Sequence, residues 1–217
     1  MKKIFITATN TDIGKTYTTL KFAKILAKMG YRVAIFKPIE TGVKKLPNDG
    51  KQYLKLLKQI NPDLKDFSID NIVPIQYHLP ASPFVAKGNK RVNFKKISKK
   101  LNLFKPYCDI LLIEGAGGIL VPIEKNFFMI DLVKKLKIDK TILITSSKLG
   151  AINDTLLSIN TLKKRNIEFN WAVNLYLDRD SFYKITYPFY KEYFKRVSIL
   201  KGKKSYKKFV KNYLIGD

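Results

Sequence analysis

Residues Lys2 to Tyr17 read KKIFITATNTDIGKTY, and the reading of this stretch decides the fold. The apolar run Ile4-Phe5-Ile6 leads into a turn of small and polar residues. Gly14, Lys15 and Thr16 close that turn just before a helical pattern begins. Strand, loop and Gly-Lys-Thr opening a helix is the arrangement of a phosphate-binding P-loop. Gly14 lets the backbone approach a phosphate and turn its N–H groups inward. Lys15 supplies a cation toward the terminal phosphates, and the Thr16 hydroxyl is suited to ligate Mg²⁺. The helix N-terminus behind them adds unpaired N–H groups and a positive dipole end. The strict pattern has a glycine where Thr9 stands, with Ala8 before it.

Outward from this loop, Leu20, Phe22, Ala23, Ile25, Leu26 and Ala27 give Thr18 to Met29 the pattern of an amphipathic helix, ended by Gly30. Tyr31 to Phe36 (YRVAIF) reads as a second strand. It runs into Lys37-Pro38-Ile39-Glu40-Thr41-Gly42, a loop at the strand's carboxyl end, where open parallel sheets bind ligands. Lys37 is therefore a candidate phosphate or substrate contact. The second informative stretch is Asp109 to Gly118, DILLIEGAGG. Its unbroken apolar run is that of a strand buried on both faces of a parallel sheet. It ends in Glu114, at the position where P-loop proteins hold Mg²⁺ or its waters. The small residues Gly115, Ala116, Gly117 and Gly118 that follow allow the backbone to come close to a ligand.

The remaining chain keeps alternating. Lys44 to Gly50 reads as loop, Lys51 to Ile60 as a short helix, and Asn61 to Asn71 as polar turns. Ile72 to Tyr77 is a short strand interrupted by Pro74, and the lone His78 reads as a surface or packing residue. Asn93 to Leu103 is a basic amphipathic helix, Phe127 to Leu136 a helix, and Thr141 to Thr145 a buried strand. Leu149 to Asn153 opens a helix reaching about Lys164, Trp171 to Leu175 is a strand, and Tyr183 to Phe194 is read as helix. The tail after Val197 is basic and poorly patterned. With no linker and no internal repeat, the pattern predicts one P-loop NTPase-like α/β domain over residues 1–217, its mostly parallel sheet flanked by helices.

Composition narrows the classes. At 217 residues the chain can bury one sizeable core, and it has no apolar run able to span a bilayer. Thr7, Asn10, Thr11, Asp12 and Lys15 break the N-terminal apolar run too early for a signal peptide. Cys108 is the only cysteine, so no intrachain disulfide can form, and a reducing cytoplasm is expected. The formal net charge is +25. Its lysines recur along the whole chain, with a denser patch from Lys201 to Lys211, and no zinc-finger or RNA-recognition spacing accompanies them. They read as solvated charge that attracts anionic substrates, with no nucleic acid and no membrane expected as partner.

Taken together, Thr7 to Thr16, Phe36 to Gly42, Glu114 to Gly118 and Leu149 to Asn153 resemble, in order and spacing, the dethiobiotin synthetase family. The likeness covers about the first 175 residues. It implies a cytoplasmic, homodimeric ATP-dependent cyclo-ligase of biotin biosynthesis that acts on 7,8-diaminononanoate and CO₂ with Mg²⁺. The resemblance makes Lys37 and Lys15 catalytic. It implies nucleotide contacts from Asp12, Ile13, Gly14, Lys15, Thr16 and Tyr17, from Glu114, Gly115, Ala116 and Gly117, and from Asn174. Thr11, Thr41 and Gly117 would line the diamine site, and Asn153 would reach the substrate carboxylate from the other subunit. Thr16 and Glu114 would hold the metal with Asp49, unless Gln52 occupies that position.

Some residues depart from the family pattern. Ala8 replaces a usual glycine, Leu175 follows Asn174 where aspartate is usual, and the family's C-terminal Gly-hydrophobic-Pro loop is not recognisable. Asn174 alone offers both a donor and an acceptor and could flip its amide, which predicts weak base discrimination. Two other classes stand as alternatives. A partition-type P-loop ATPase would carry a signature lysine where Asn10 stands. A basic nucleic-acid-binding protein would treat the P-loop as degenerate.

Overall fold

In the computed structural model, which describes residues 1–176 and 179–216, strand β1 (Lys2–Ala8) is buried from Ile4 onward and leads through the phosphate loop into α1 (Lys15–Ala27). Next come β2 (Val33–Phe36), the short β3 (Ile39–Glu40), α2 (Asn48–Ile60), α3 (Ile69–Ile72), β4 (Ile75–Gln76), α4 (Pro83–Ala86) and α5 (Phe94–Asn102). They are followed by β5 (Ile110–Gly118), β6 (Pro122–Glu124), β7 (Phe127–Phe128), α6 (Leu132–Lys135), β8 (Lys140–Thr145), α7 (Ala151–Lys164) and β9 (Phe169–Asn174). Beyond these lie α8 (Arg179–Ser181), α9 (Tyr187–Tyr193), β10 (Ile199–Leu200) and α10 (Lys203–Phe209).

Six strands form one parallel sheet in the order β10-β9-β8-β1-β5-β2. Ile110 to Ile113 are buried, as their unbroken apolar run requires of a strand covered on both faces. The chain leaves β1 for β2 at one edge, returns to β5, and later crosses to β8. β1 thus lies where the winding reverses, and the crevice beyond its carboxyl end is the natural ligand position. Ile6 of β1 pairs with Glu114 of β5, so the phosphate loop and that carboxylate emerge at the same edge.

Helix α1 buries Thr18, Thr19, Phe22, Ala23 and Leu26. Phe22 is sealed from the far side by α10, with Phe209 stacked at a centroid distance of 5.7 Å and Tyr206 edge-on at 5.8 Å. Full burial of a side chain such as Phe22 contributes about 1.5–3 kcal/mol.

Three sequence expectations need correction. Phe127 to Leu136 is not one helix. Phe127–Phe128 pairs antiparallel with Pro122–Glu124, a 3₁₀ turn spans Met129–Asp131, and only Leu132–Lys135 is α-helical. The turn is tied by Asp131, whose carboxylate accepts from the Phe128 N–H at 2.7 Å. Helix α2 starts at Asn48 rather than Lys51, which brings Asp49 into its first turn. Last, the tail is patterned: Ile199–Leu200 extends the sheet beside β9, and Tyr206, Phe209, Val210 and Leu214 are buried.

Candidate active site

Gly14 adopts the left-handed conformation at φ 82°, which turns the loop into the start of α1. A side chain there would also collide with the Asn174 amide, so glycine is required on two grounds. Asp12 is left-handed as well, at φ 55°, and Tyr176 ties the loop down by donating its phenol to the Asp12 carbonyl. Asn174 at the end of β9 donates to the Ile13 carbonyl at 2.9 Å and accepts from the Tyr206 hydroxyl at 3.1 Å. Both ends of its amide are engaged, so the free flip that the sequence allowed is opposed.

Lys15 is buried and its ammonium donates to the Asn10 carbonyl at 2.8 Å. Burial pushes it down to about 8, with Glu114 pulling the other way. Lys37, on the loop after β2, donates to Glu114 Oε1 at 2.8 Å and to the Asp49 carboxylate. Burial alone would lower this ammonium, but the two carboxylates outweigh it and hold it above its usual range. Asp49 is positioned by Glu40, whose buried carboxylate accepts from the N–H groups of Asp49 and Gly50 at 3.1 and 3.2 Å.

Glu114 is fully buried and accepts from Thr16 at 3.2 Å, Thr19 at 2.9 Å, Lys37 and Tyr53. Gly117 is left-handed at φ 65°, and a Cβ on Gly118 would stand 2.9 Å from the Thr9 carbonyl. At Gly118, then, the absence of a side chain allows the β5 turn to pack against the phosphate loop.

Thr11, Asp12, Gly14, Lys15, Thr16, Tyr17, Lys37, Asp49, Gln52, Glu114, Gly117 and Asn174 line one cavity of about 760 Å³, together with Leu20 and Tyr176. Most of the residues singled out in the sequence therefore converge. Ile13 is buried beneath the loop, and Gly115, Ala116, Thr41 and Asn153 are outside the lining. Asn153 is exposed on the first turn of α7. A second cavity of about 370 Å³ shares Tyr17 and Tyr176 with the first. Its walls include Leu175, Leu200, Lys201, Gly202 and Tyr206, the last four from the tail.

Sequence reasoning missed Tyr53, Thr19, Glu40, Tyr176 and Tyr206. For Tyr53 the signal was present: it stands four residues after Asp49, on the same face once the helix starts at Asn48. Among the described residues there is no group of three or more His, Cys, Asp or Glu placed to hold a metal ion. The oxygen donors available are those of Thr16, Glu114 and Asp49.

A family model described as an AAA domain matches residues 2–173. The chain is 46% identical over 190 residues to a protein of Sulfurovum sp. (strain NBC37-1), covering 88% of this chain and 90% of the relative. It is 40% identical over 195 residues to a protein of Wolinella succinogenes, covering 88% and 89%. Both relatives are called ATP-dependent dethiobiotin synthetase BioD. Among solved structures, a plasmid partition protein from Borrelia burgdorferi superposes with a TM-score of 0.59 at 12% identity, covering 97% of this chain and 96% of that one. Cobyrinic acid a,c-diamide synthase from Mycobacterium smegmatis gives 0.57 at 12% identity, covering 100% and 97%. At such identities these two show a shared fold.

Proposed function

The chain belongs to the ATP-dependent dethiobiotin synthetase family, and on that premise we propose that it closes the ureido ring of dethiobiotin from 7,8-diaminononanoate, CO₂ and ATP. The observation that carries this reading is the convergence of two lysine ammonium groups, Lys15 and Lys37, on one cavity behind a phosphate loop.

In this reading a substrate amine attacks CO₂ and loses a proton, leaving a carbamate. A carbamate oxygen attacks the γ-phosphorus, the bond to the β–γ bridging oxygen breaks, and ADP leaves. The second amine then attacks the carbamate carbon and loses a proton, phosphate departs, and the ring closes. Phosphoryl transfer through a loose transition state calls for positioned cations more than for a protein nucleophile. Lys15 exchanges the Asn10 carbonyl for β- and γ-phosphate oxygens, and Lys37 neutralises the carbamate and the group in transfer. Thr11, Thr41 and the backbone at Gly117 hold the diamine. Asp12, Ile13, Gly14, Thr16 and Tyr17 follow the phosphates, while Glu114, Gly115 and Ala116 back them from β5.

The hydroxyl of Thr16 and the carboxylates of Glu114 and Asp49 are hard oxygen donors, which fit Mg²⁺. Asp49 is preferred to Gln52 because its carboxylate already shares Lys37 with Glu114. Bound there, the ion would neutralise phosphate charge. The base end of ATP enters the second cavity past Asn174, Tyr17 and Tyr176. We read residues 1–217 as one domain, built on a single six-stranded sheet.

A homodimer fits the exposed residues around Asn153. Leu149 is 82% and Leu157 59% exposed on either side of it, apolar surface that a second subunit would cover. In the dimer Asn153 meets the substrate carboxylate of the other subunit. No nucleic acid is required, and among the described residues no helix is long and apolar enough to cross a membrane. The single cysteine accords with a cytoplasmic location. The test is ADP release by the purified protein. It should depend strictly on both 7,8-diaminononanoate and bicarbonate, and turnover with either omitted would overturn the reading.

A further inference from the structure

Glu114 receives its hydrogen bonds on two distinct edges. Oε1 faces Thr16 and Lys37, whereas Oε2 faces Thr19 and Tyr53. The Thr19 hydroxyl has a single proton, yet it stands 2.9 Å from both Glu114 Oε2 and the Lys15 carbonyl. Bonding to that carbonyl, one helical turn back, is the local habit of threonine in a helix. The Tyr53 hydroxyl also has the Thr16 hydroxyl beside it, but no backbone carbonyl one turn back draws its proton away from Oε2. The ring of Tyr53 is fully buried, its hydroxyl donates to Oε2, and α2 delivers it from the same face that delivers Asp49.

We propose that Tyr53 is a positioning residue for phosphoryl transfer: its hydroxyl commits the Oε2 edge of Glu114, so that Oε1 is the edge presented to Thr16, Lys37 and the cavity. A carboxylate with two uncommitted oxygens could rotate and pair both with Lys37 or Thr16. With Oε2 committed, Glu114 offers one oxygen in one direction. This rests on the reading of the cavity as the ATP site with Mg²⁺ at Thr16 and Glu114.

Tyr53→Phe tests it, because the ring still fills its space and only the hydroxyl is lost. Steady-state turnover and calorimetric ATP affinity with and without Mg²⁺ are measured for the wild type, for Tyr53→Phe and for Thr19→Val. Tyr53→Phe is expected to lower kcat about tenfold and to reduce the gain in ATP affinity on adding Mg²⁺ by a similar factor, since a hydrogen bond to a charged group is lost. Metal-free ATP affinity should stay within about threefold, well short of that tenfold effect. Thr19→Val should change both quantities less, since its proton is shared with Lys15. A Tyr53→Phe enzyme with wild-type kcat and Mg²⁺ response would overturn the proposal while leaving the ATP site intact, as would a larger effect from Thr19→Val. If the wild type itself bound no ATP, the reading of the cavity would fail, and this inference with it.

Discussion

Lys37 Nζ lies 2.8 Å from Glu114 Oε1, with the lysine side chain 6% exposed and the glutamate 0%. The same ammonium pairs with Asp49. Removing one partner of such a pair strands a buried charge, at about 3–5 kcal/mol for fully buried cases. Lys37→Ala should therefore lower the melting temperature as well as turnover, with a smaller effect on ATP affinity. Lys15 is placed differently, since it donates to a backbone carbonyl and its burial opposes its charge. Lys15→Ala should weaken ATP binding and turnover with little loss of melting temperature. Thermal unfolding beside nucleotide calorimetry checks both. Equal KM-type losses with unchanged melting in the two variants would contradict the assignment.

Asn153 gives a second prediction. It is exposed and outside the cavity lining, and in the proposed dimer it reaches the substrate carboxylate of the other subunit. Asn153→Ala should raise the KM for 7,8-diaminononanoate roughly tenfold, as expected for a lost hydrogen bond to a carboxylate, and leave ATP affinity unchanged. Sedimentation should show a dimer at working concentration. A fully active monomer would sink the idea.

Cys108 supplies a pH-dependent prediction remote from the site. Its thiol is 2% exposed, and burial pushes it up to about 12 from an ordinary value near 9. Because the folded value exceeds the unfolded one, the contribution to stability is present below pH 9 and is lost as pH rises toward 12. At pH 8 the native chain should resist a thiol-alkylating reagent that modifies it readily in denaturant. Alkylation at equal rates in both states would show that the thiol is accessible in the fold.

Much of this arrangement was legible in the chain. The apolar runs of β1 and β5 are read directly because strands buried on both faces have no polar interruptions, and Lys15, Thr16 and Glu114 come with them. The spacing of Tyr53 from Asp49 could be read, but its partner could not, because the bond of its hydroxyl to Glu114 exists only once α2 is laid beside β5. The helix expected from Phe127 failed for another reason. Phe127, Phe128, Met129 and Ile130 are consecutive apolar residues whose periodicity fits either state, and a pairing with Pro122–Glu124 decided it. The tail, by contrast, carried a usable signal. Tyr206, Phe209, Val210 and Leu214 recur at helical spacing, a pattern masked by the lysines between them.

With the base placed beside Asn174 as proposed, its preference follows from how that amide is held. Its Nδ2 is committed to the Ile13 carbonyl, and its Oδ1 accepts from Tyr206, whose phenol burial pushes up to about 12, so that it remains a donor at any working pH. The amide thus offers a base one fixed pattern, a remaining N–H and a remaining lone pair. The second cavity, which Asn174 itself does not line, is walled by Tyr17, Ile25, Leu175, Tyr176, Leu200 and Tyr206 and by basic side chains, which give little directional readout of a base. One or two hydrogen bonds of about 1 kcal/mol each leave selectivity between roughly tenfold and a hundredfold in kcat/KM for ATP over GTP or CTP. Tyr206→Phe keeps the packing against Phe22 but removes one of the two hydrogen bonds that fix the Asn174 amide, leaving only the Ile13 carbonyl to hold it. The variant should bring the ATP to GTP ratio down toward unity while ATP itself loses only a few-fold, in line with one neutral hydrogen bond. Steady-state kinetics with each nucleotide at saturating diamine and bicarbonate decide the matter. A wild-type preference above about a thousandfold is beyond what one amide can supply and would place the discrimination in the Lys201–Lys203 segment. An unchanged ratio in Tyr206→Phe would mean that Asn174 does not read the base.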